Sequence, residues 1–151
     1  MHLTAYFDYK IITSSLIKAV KQATGVVCIE GNSSAQQPPY PFATFTITSP
    51  RVVNQHDAEG SQFEVVVSLT YHDSSSISVL NLAKRCESFF GSHNGRTIFL
   101  EKNVVVVDID NFDKRDNFIS IDFERIAGFD VTLRVAETFV DDVPNIDNII
   151  I

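Results

Sequence analysis

The feature that most constrains this chain is a strict two-residue alternation of apolar and polar side chains. Between Gln62 and Tyr71 every second residue is apolar: Phe63, Val65, Val67, Leu69 and Tyr71. Successive side chains of a strand point to opposite faces, so this spacing fits a half-buried strand and not a helix. Phe42 to Thr48 repeats it, with Ala43, Phe45 and Ile47 on one side and Thr44, Thr46 and Thr48 on the other. Phe118 to Arg125 places Ile119, Ile121 and Phe123 inward and Ser120, Asp122 and Glu124 outward. Phe129 to Val135 places Phe129, Val131, Leu133 and Val135 inward and Asp130, Thr132 and Arg134 outward. Four such segments require a sheet with one apolar face and one polar face.

The connections set the pairing. A polar turn over 54–61 predicts an antiparallel hairpin between the first two segments. The short link Ile126-Ala127-Gly128 predicts a second hairpin between the last two. Val104 to Asp110 is also strongly β, and Asn111 to Asn117 reads as a charged turn. Val26 to Glu30 is a short β-branched run, followed by an exposed loop from Gly31 to Pro41 whose prolines cannot donate to a ladder. Helical spacing appears twice. Ile12, Leu16, Ala19, Val20 and Ala23 mark a helix from about Asp8 to Ala23, stopped at Gly25. Val79, Leu82, Cys86 and Phe89 mark a second, capped by Asp73 or Ser74 and stopped at Gly91. The order α–β–β–β–α–β–β–β predicts an α+β fold: a single, mostly antiparallel (mixed) sheet with two helices packed on one face. A length of 151 residues fits one domain over 1–151, with an extended acidic tail over about 137–151.

Charge and cysteine content narrow the function. The net charge is −7, which argues against gripping nucleic acid through overall charge. Residues 1–100 balance; the imbalance lies wholly in 101–151. One reading is a solvated acidic face, the other a surface that faces a polyanion without holding it. Cys28 and Cys86 sit far apart in apolar settings, which predicts two free core thiols. No apolar run approaches membrane-spanning length, and the first residues carry no secretory pattern.

No catalytic pattern survives inspection. His2, His56, His72 and His93 are scattered, with none paired at ligand spacing. Asp108-Ile109-Asp110-Asn111-Phe112-Asp113 begins like a calcium loop, but Phe112 stands where an oxygen ligand belongs and no glycine follows. At most a weak divalent-cation site shared between subunits is left there. Nucleotide-binding and nucleophile-elbow glycine motifs are missing, and Glu101-Lys102 lacks the preceding acids of a nuclease core. The expectation is a non-enzyme with no cofactor and no resident metal. Among the aromatics, Phe42 and Phe118 alone take the outward register, as part of a subunit interface or a cap on a sheet edge.

Two stretches then carry a resemblance. Pro38-Pro39-Tyr40-Pro41-Phe42-Ala43-Thr44-Phe45-Thr46-Ile47-Thr48-Ser49-Pro50 resembles the P-x-Y-P-(Y/F)-x-T-(Y/F)-x-(V/I)-x-S-P signature of the phage neck and tail-terminator family of long-tailed phages and prophages. Glu124-Arg125-Ile126-Ala127-Gly128-Phe129-Asp130-Val131-Thr132-Leu133-Arg134-Val135 resembles that family's E-R-x-x-G-F-D-V-x-(I/L/F)-R-V hairpin. Ile126-Ala127 departs from the basic and aromatic pair the pattern has there.

The resemblance implies a tail-terminator-like fold and a structural virion protein assembled in the host cytoplasm. It implies a ring of copies of this chain, typically hexameric, at the head-proximal end of the tail. The ring stops tube polymerisation and joins tail to head, so its partners are itself, the tail-tube protein and the head-connector protein. DNA passes through the lumen without specific binding, and no membrane is involved. The alternative at the same junction is a head-closure or adaptor protein. The assembly candidates are Tyr40, Pro41, Ser49, Pro50, Arg125, Gly128, Phe129, Asp130 and Arg134, together with the apolar run Ile149, Ile150 and Ile151. Three isoleucines left in water are costly, so they either join a neighbour or pack back on their own subunit. The acidic last third then reads as a lumen lining that repels phosphate, with Asp108, Asp110, Asp113, Asp116, Asp122, Asp141 and Asp142 as candidates.

Overall fold

In a computed structural model of the chain, the alternating segments build a five-stranded sheet. The structure describes residues 3–32, 34, 36–53, 62–116 and 124–141. In chain order the elements are β1 (Leu3–Tyr6), α1 (Lys10–Thr24), β2 (Val27–Glu30), β3 (Phe42–Val52), β4 (Gln62–Asp73), α2 (Ser76–Gly91), α3 (His93–Leu100), β5 (Val105–Lys114), β6 (Arg125–Ala136) and β7 (Thr138–Asp141). The main sheet has the order β2-β3-β4-β6-β5. Strand β2 runs parallel to β3 and every other pair is antiparallel, so the sheet is mixed and mostly antiparallel as expected.

Each helix follows from local chemistry. Helix α1 buries Ile12, Leu16, Ala19 and Val20 on one stripe and closes at Gly25, whose φ is 76° and whose N–H bonds the Lys21 carbonyl at 2.8 Å. The cap of α2 is Ser75, not Asp73 or Ser74; its Oγ accepts from Ser78 N at 3.3 Å. Asp73 instead accepts from Ser74 N and the Ser78 hydroxyl. Gly91 ends α2, and one residue later Ser92 caps a further helix, its Oγ accepting from Gly95 N at 3.2 Å. Among the described residues the layer therefore holds three helices, not two.

Those helices cover the odd-numbered face of β4 and β6. Phe63, Val65, Val67, Leu69 and Tyr71 pack there with Phe129, Val131, Leu133 and Val135, all at most 4% exposed. Phe90 of α2 meets Phe99 of α3 and Phe129 of β6 edge-to-face, with centroids 5.3 and 5.7 Å apart. Burying one such ring contributes roughly 1.5–3 kcal/mol. Cys28 and Cys86 are buried free thiols in this core, and burial pushes each up to about 12. Tyr71 hydroxyl pairs with Thr24 Oγ1 at 2.9 Å, and its burial drives its pKa well above the ordinary tyrosine value.

The second hairpin differs from the expected one. Strand β6 is continuous from Arg125 to Ala136 and pairs with β4 at twelve positions, from Gln62↔Ala136 to Asp73↔Arg125. Residues Ile126-Ala127-Gly128 are therefore strand, not a link. Gly128 serves close approach: a Cβ there would lie 2.0 Å from the Leu69 carbonyl oxygen of β4. The partner of β6 in its hairpin is β5. The expected charged turn over 111–117 is in large part strand, because β5 runs on to Lys114. Two register shifts, between Val106 and Asp108 and between Asp110 and Asp113, each insert one residue. Asn111, at φ 54°, takes the left-handed conformation that asparagine tolerates best among non-glycine residues. The expected strand over Phe118–Phe123 lies outside the described residues.

A second sheet was not expected. Strands β1 and β7 pair antiparallel as a two-stranded ribbon, from Leu3↔Asp141 to Tyr6↔Thr138. The first part of the expected tail is thus strand β7, while 142–151 lie outside the described residues.

Candidate functional site

The polar face of the sheet gathers Asp108, Asp110, Asp113, Gly128, Asp130 and Arg134 from among the sequence candidates. Even-numbered residues of β3, β4 and β6 stand there in register: Thr46 opposite Ser68, Ser68 opposite Asp130, Glu64 opposite Arg134. Asp108 and Asp110 of β5 extend the face, opposite Thr132 and Asp130.

The centre of this face is organised by Arg115, which the sequence places in a solvated charged turn and the structure instead sets against β4 and β6. Its guanidinium donates to Ser68 Oγ (2.6 Å), Thr70 Oγ1 (3.1 Å), Asp113 Oδ1 (2.8 Å) and Asp130 Oδ1 (3.2 Å). It reaches β4 across β6, where Gly128 stands opposite Thr70 and presents no side chain. Asp130 also accepts from Asn111 Nδ2 at 2.9 Å. One arginine thus ties β4, β5 and β6 together through charge-assisted bonds. Its guanidinium anchors are short polar side chains on alternate positions, a signal visible only once the β4–β6 register is known.

Toward the β2 edge the face changes character. Tyr40, Phe42 and His72 stack in sequence, with centroids 5.6 and 4.6 Å apart. Phe42 keeps the outward register but is 3% exposed, so the stack covers it within the chain. His72 has both ring nitrogens engaged: Nε2 with Thr44 Oγ1 and Nδ1 with Glu124 Oε1, each at 2.8 Å. Beside it an open groove of about 220 Å³ is lined by Ile29, Glu30, Gln37 and Glu124. The Tyr40–Pro41 peptide is cis.

The remaining motif residues divide by role. Ser49 lies on β3 between two register shifts, and the Pro50 carbonyl accepts from Tyr9 Oη at 2.9 Å. Phe129 is pure core. Arg134 pairs with Glu64 at 3.1 Å, and Arg125 opens β6 beside Asp116. Burial raises the Asp116 pKa, but hydrogen bonds from Lys114 and Ile126 N, with the charges of Lys114 and Arg125, outweigh it and hold the carboxyl below its ordinary range. Ile149, Ile150, Ile151, Asp122, Asp142, His2 and His56 lie outside the described residues.

The acidic candidates are not equivalent. Asp113 and Asp130 are paired with Arg115, and Asp116 with Lys114. Asp108 and Asp110 are exposed and form no ion pair among the described residues. The helix layer opposite has the other sign: α1 carries Lys10, Lys18 and Lys21 and no acid. The molecule is electrically two-faced, basic on its helices and acidic along β5. Among the described residues no group of three or more His, Cys, Asp or Glu side chains could hold a metal ion. No helix among them is long and apolar enough to cross a membrane.

The described residues form a two-layer α+β fold with a polar, heavily cross-tied sheet face, an architecture that many classes of protein share. The comparison with protein families makes this specific: residues 14–151 match the phage neck terminator protein family, and the chain belongs to it. Its role is accordingly structural, in the phage neck, with the virion as its place and other phage head and tail proteins as its partners. No curated protein matches the chain.

Proposed function

We propose that the protein forms a ring, typically hexameric, at the head-proximal end of the tail, where it ends tube polymerisation and joins the tail to the head connector. The polar sheet face lines the lumen and the helices face outward. The observation that carries this reading is the unpaired state of Asp108 and Asp110. Carboxylates neutralised by arginine or lysine create little field, whereas two exposed unpaired ones on a sheet face repel a passing phosphate backbone. Repeated around a ring they form a belt that lets DNA slide without sticking. Asp113, Asp116 and Asp130 do different work, holding the β5–β6 hairpin. No observation favours the adaptor reading over this one.

The test is an electron-microscopy reconstruction of the assembled ring. The account expects Asp108 and Asp110 at the inner wall. A lumen lined by Lys10, Lys18 and Lys21, with these acids outside, contradicts it. A ring-shaped assembly also uses heterologous contacts, in which two different patches of the subunit meet.

A further inference from the structure

The two outer edges of the main sheet carry unlike side chains that complement each other. Strand β2 forms one edge and β5 the other. On β2, Val27 and Ile29 stand on the polar face, level with Phe42 and Thr44 of β3. Val27 is 49% exposed. Beside them Glu30 is exposed and forms no ion pair among the described residues. The groove next to His72 opens here, and its wall holds Glu30 and Glu124 but no lysine or arginine. Glu124 is engaged by His72, and Lys21, at the end of α1, is held by the Gly25 carbonyl. At the far edge, Val105 and Val107 of β5 are 41% and 38% exposed. Arg96 of α3 reaches that strand: its Nη1 donates to the Val106 carbonyl at 2.8 Å and its Nε to the Gly91 carbonyl at 3.2 Å. Arg96 is exposed, and no carboxylate pairs with it among the described residues. One edge thus sets an unpaired acid beside apolar side chains, and the other an unpaired base beside apolar side chains. Asp108 and Asp110 lie farther along β5, beyond its first register shift.

We propose that the β5 edge of one copy docks against the β2 edge of the next, with Arg96 paired to Glu30 and with Val105 and Val107 packed on Ile29 and Val27. This rests on the ring reading and names its lateral contact. The pairings across the sheet make β5 run opposite to β2. With both polar faces turned to one lumen, the two strands therefore meet antiparallel. Val107 then faces Val27 and Val105 faces Ile29, which brings Glu30 to the end of β5 that Arg96 serves. Side chains hold the contact, not a shared ladder, because the bulges of β5 and the bond from Arg96 to the Val106 carbonyl guard that edge against strand addition. The contact matches opposite charge and covers apolar surface on both sides. It supplies the two unlike patches that a closed ring needs. The polar faces of adjacent copies then join into one inner wall.

Disulfide trapping of full-length variants tests this directly. The native thiols are 5% and 0% exposed and do not compete. Within one chain the two edges are four strand spacings apart, roughly 19 Å, too far for an internal disulfide. Val27→Cys and Val107→Cys variants are purified separately, mixed at high concentration and oxidised. The expected product is a mixed dimer holding one copy of each, formed several-fold faster than either homodimer. Glu30→Arg added to the Val27→Cys partner should slow it several-fold, and Arg96→Glu added to the other partner should restore it. The Val27→Cys/Val107→Cys double variant should yield a ladder of linked multimers. Homodimers formed as readily as the mixed dimer would overturn the proposal, and a mixed dimer indifferent to Glu30→Arg would overturn the Arg96–Glu30 pair. Wild-type protein imaged in parallel separates the two ideas. Rings without the mixed dimer would sink this contact alone, whereas the mixed dimer without closed rings would sink the ring reading alone.

Discussion

Gly128 shows how one residue serves packing and the site together. Its missing side chain lets β6 approach β4 and leaves Arg115 a path to Ser68 and Thr70. Gly128→Ala must displace backbone, so it should destabilise the fold by about 3 kcal/mol, read as a lower urea midpoint at unchanged slope. The buried thiols give a second prediction at this scale. Cys28 and Cys86 should stay unreactive toward a soluble disulfide reagent at pH 8 in the native protein and react fully in denaturant. Their folded pKa values, raised from 9.0 to about 12, set the sign of the pH dependence. The stabilisation is fully present below pH 9 and is lost as pH climbs toward 12, so the loss of stability between pH 9 and 12 should be smaller when either thiol is replaced by a non-ionising residue such as alanine.

At the scale of elements, support is uneven. Strands β4 and β6 lie inside the sheet against helix α2, whereas β1 and β7 pair as a separate two-stranded ribbon. Two-stranded ribbons are marginal in water, so amides of residues 3–6 and 138–141 should exchange orders of magnitude faster than those of 65–71 and 127–133 in free protein. Equal protection would show that the ribbon is held by more than its own pairing. The same elements show what a sequence can carry. The alternation in 42–48, 62–71 and 129–135 and the stripe in α1 were legible because each has one buried face and an intact period. The continuation of β5 was not, because two inserted residues and the left-handed Asn111 break the period where charges cluster. Gly128 misled in the other direction: glycine marks turns and close approaches alike, and only the neighbouring Leu69 carbonyl tells which applies. Helix α3 is too short to display a stripe and begins with residues typical of a turn. The Arg115 and His72 networks depend on cross-strand register, which no local pattern encodes.

At the scale of the whole molecule, the charge separation links fold to role. Seven bases and seven acids balance in the first hundred residues, and the excess of acid falls on β5, the β5–β6 hairpin and the segment after β6. The use we propose for this asymmetry is a sheet face whose exposed carboxylates repel passing DNA. In phage carrying Asp108→Lys and Asp110→Lys, DNA release should slow and become strongly salt-dependent while tails still join heads; release kinetics at two ionic strengths measure this. The most direct test of the central claim is electron microscopy of particles from the native phage with this gene disrupted. The account predicts filled heads beside detached tails that exceed normal length, because nothing stops the tube. Intact, normally joined virions, or detached tails of normal length, would contradict it.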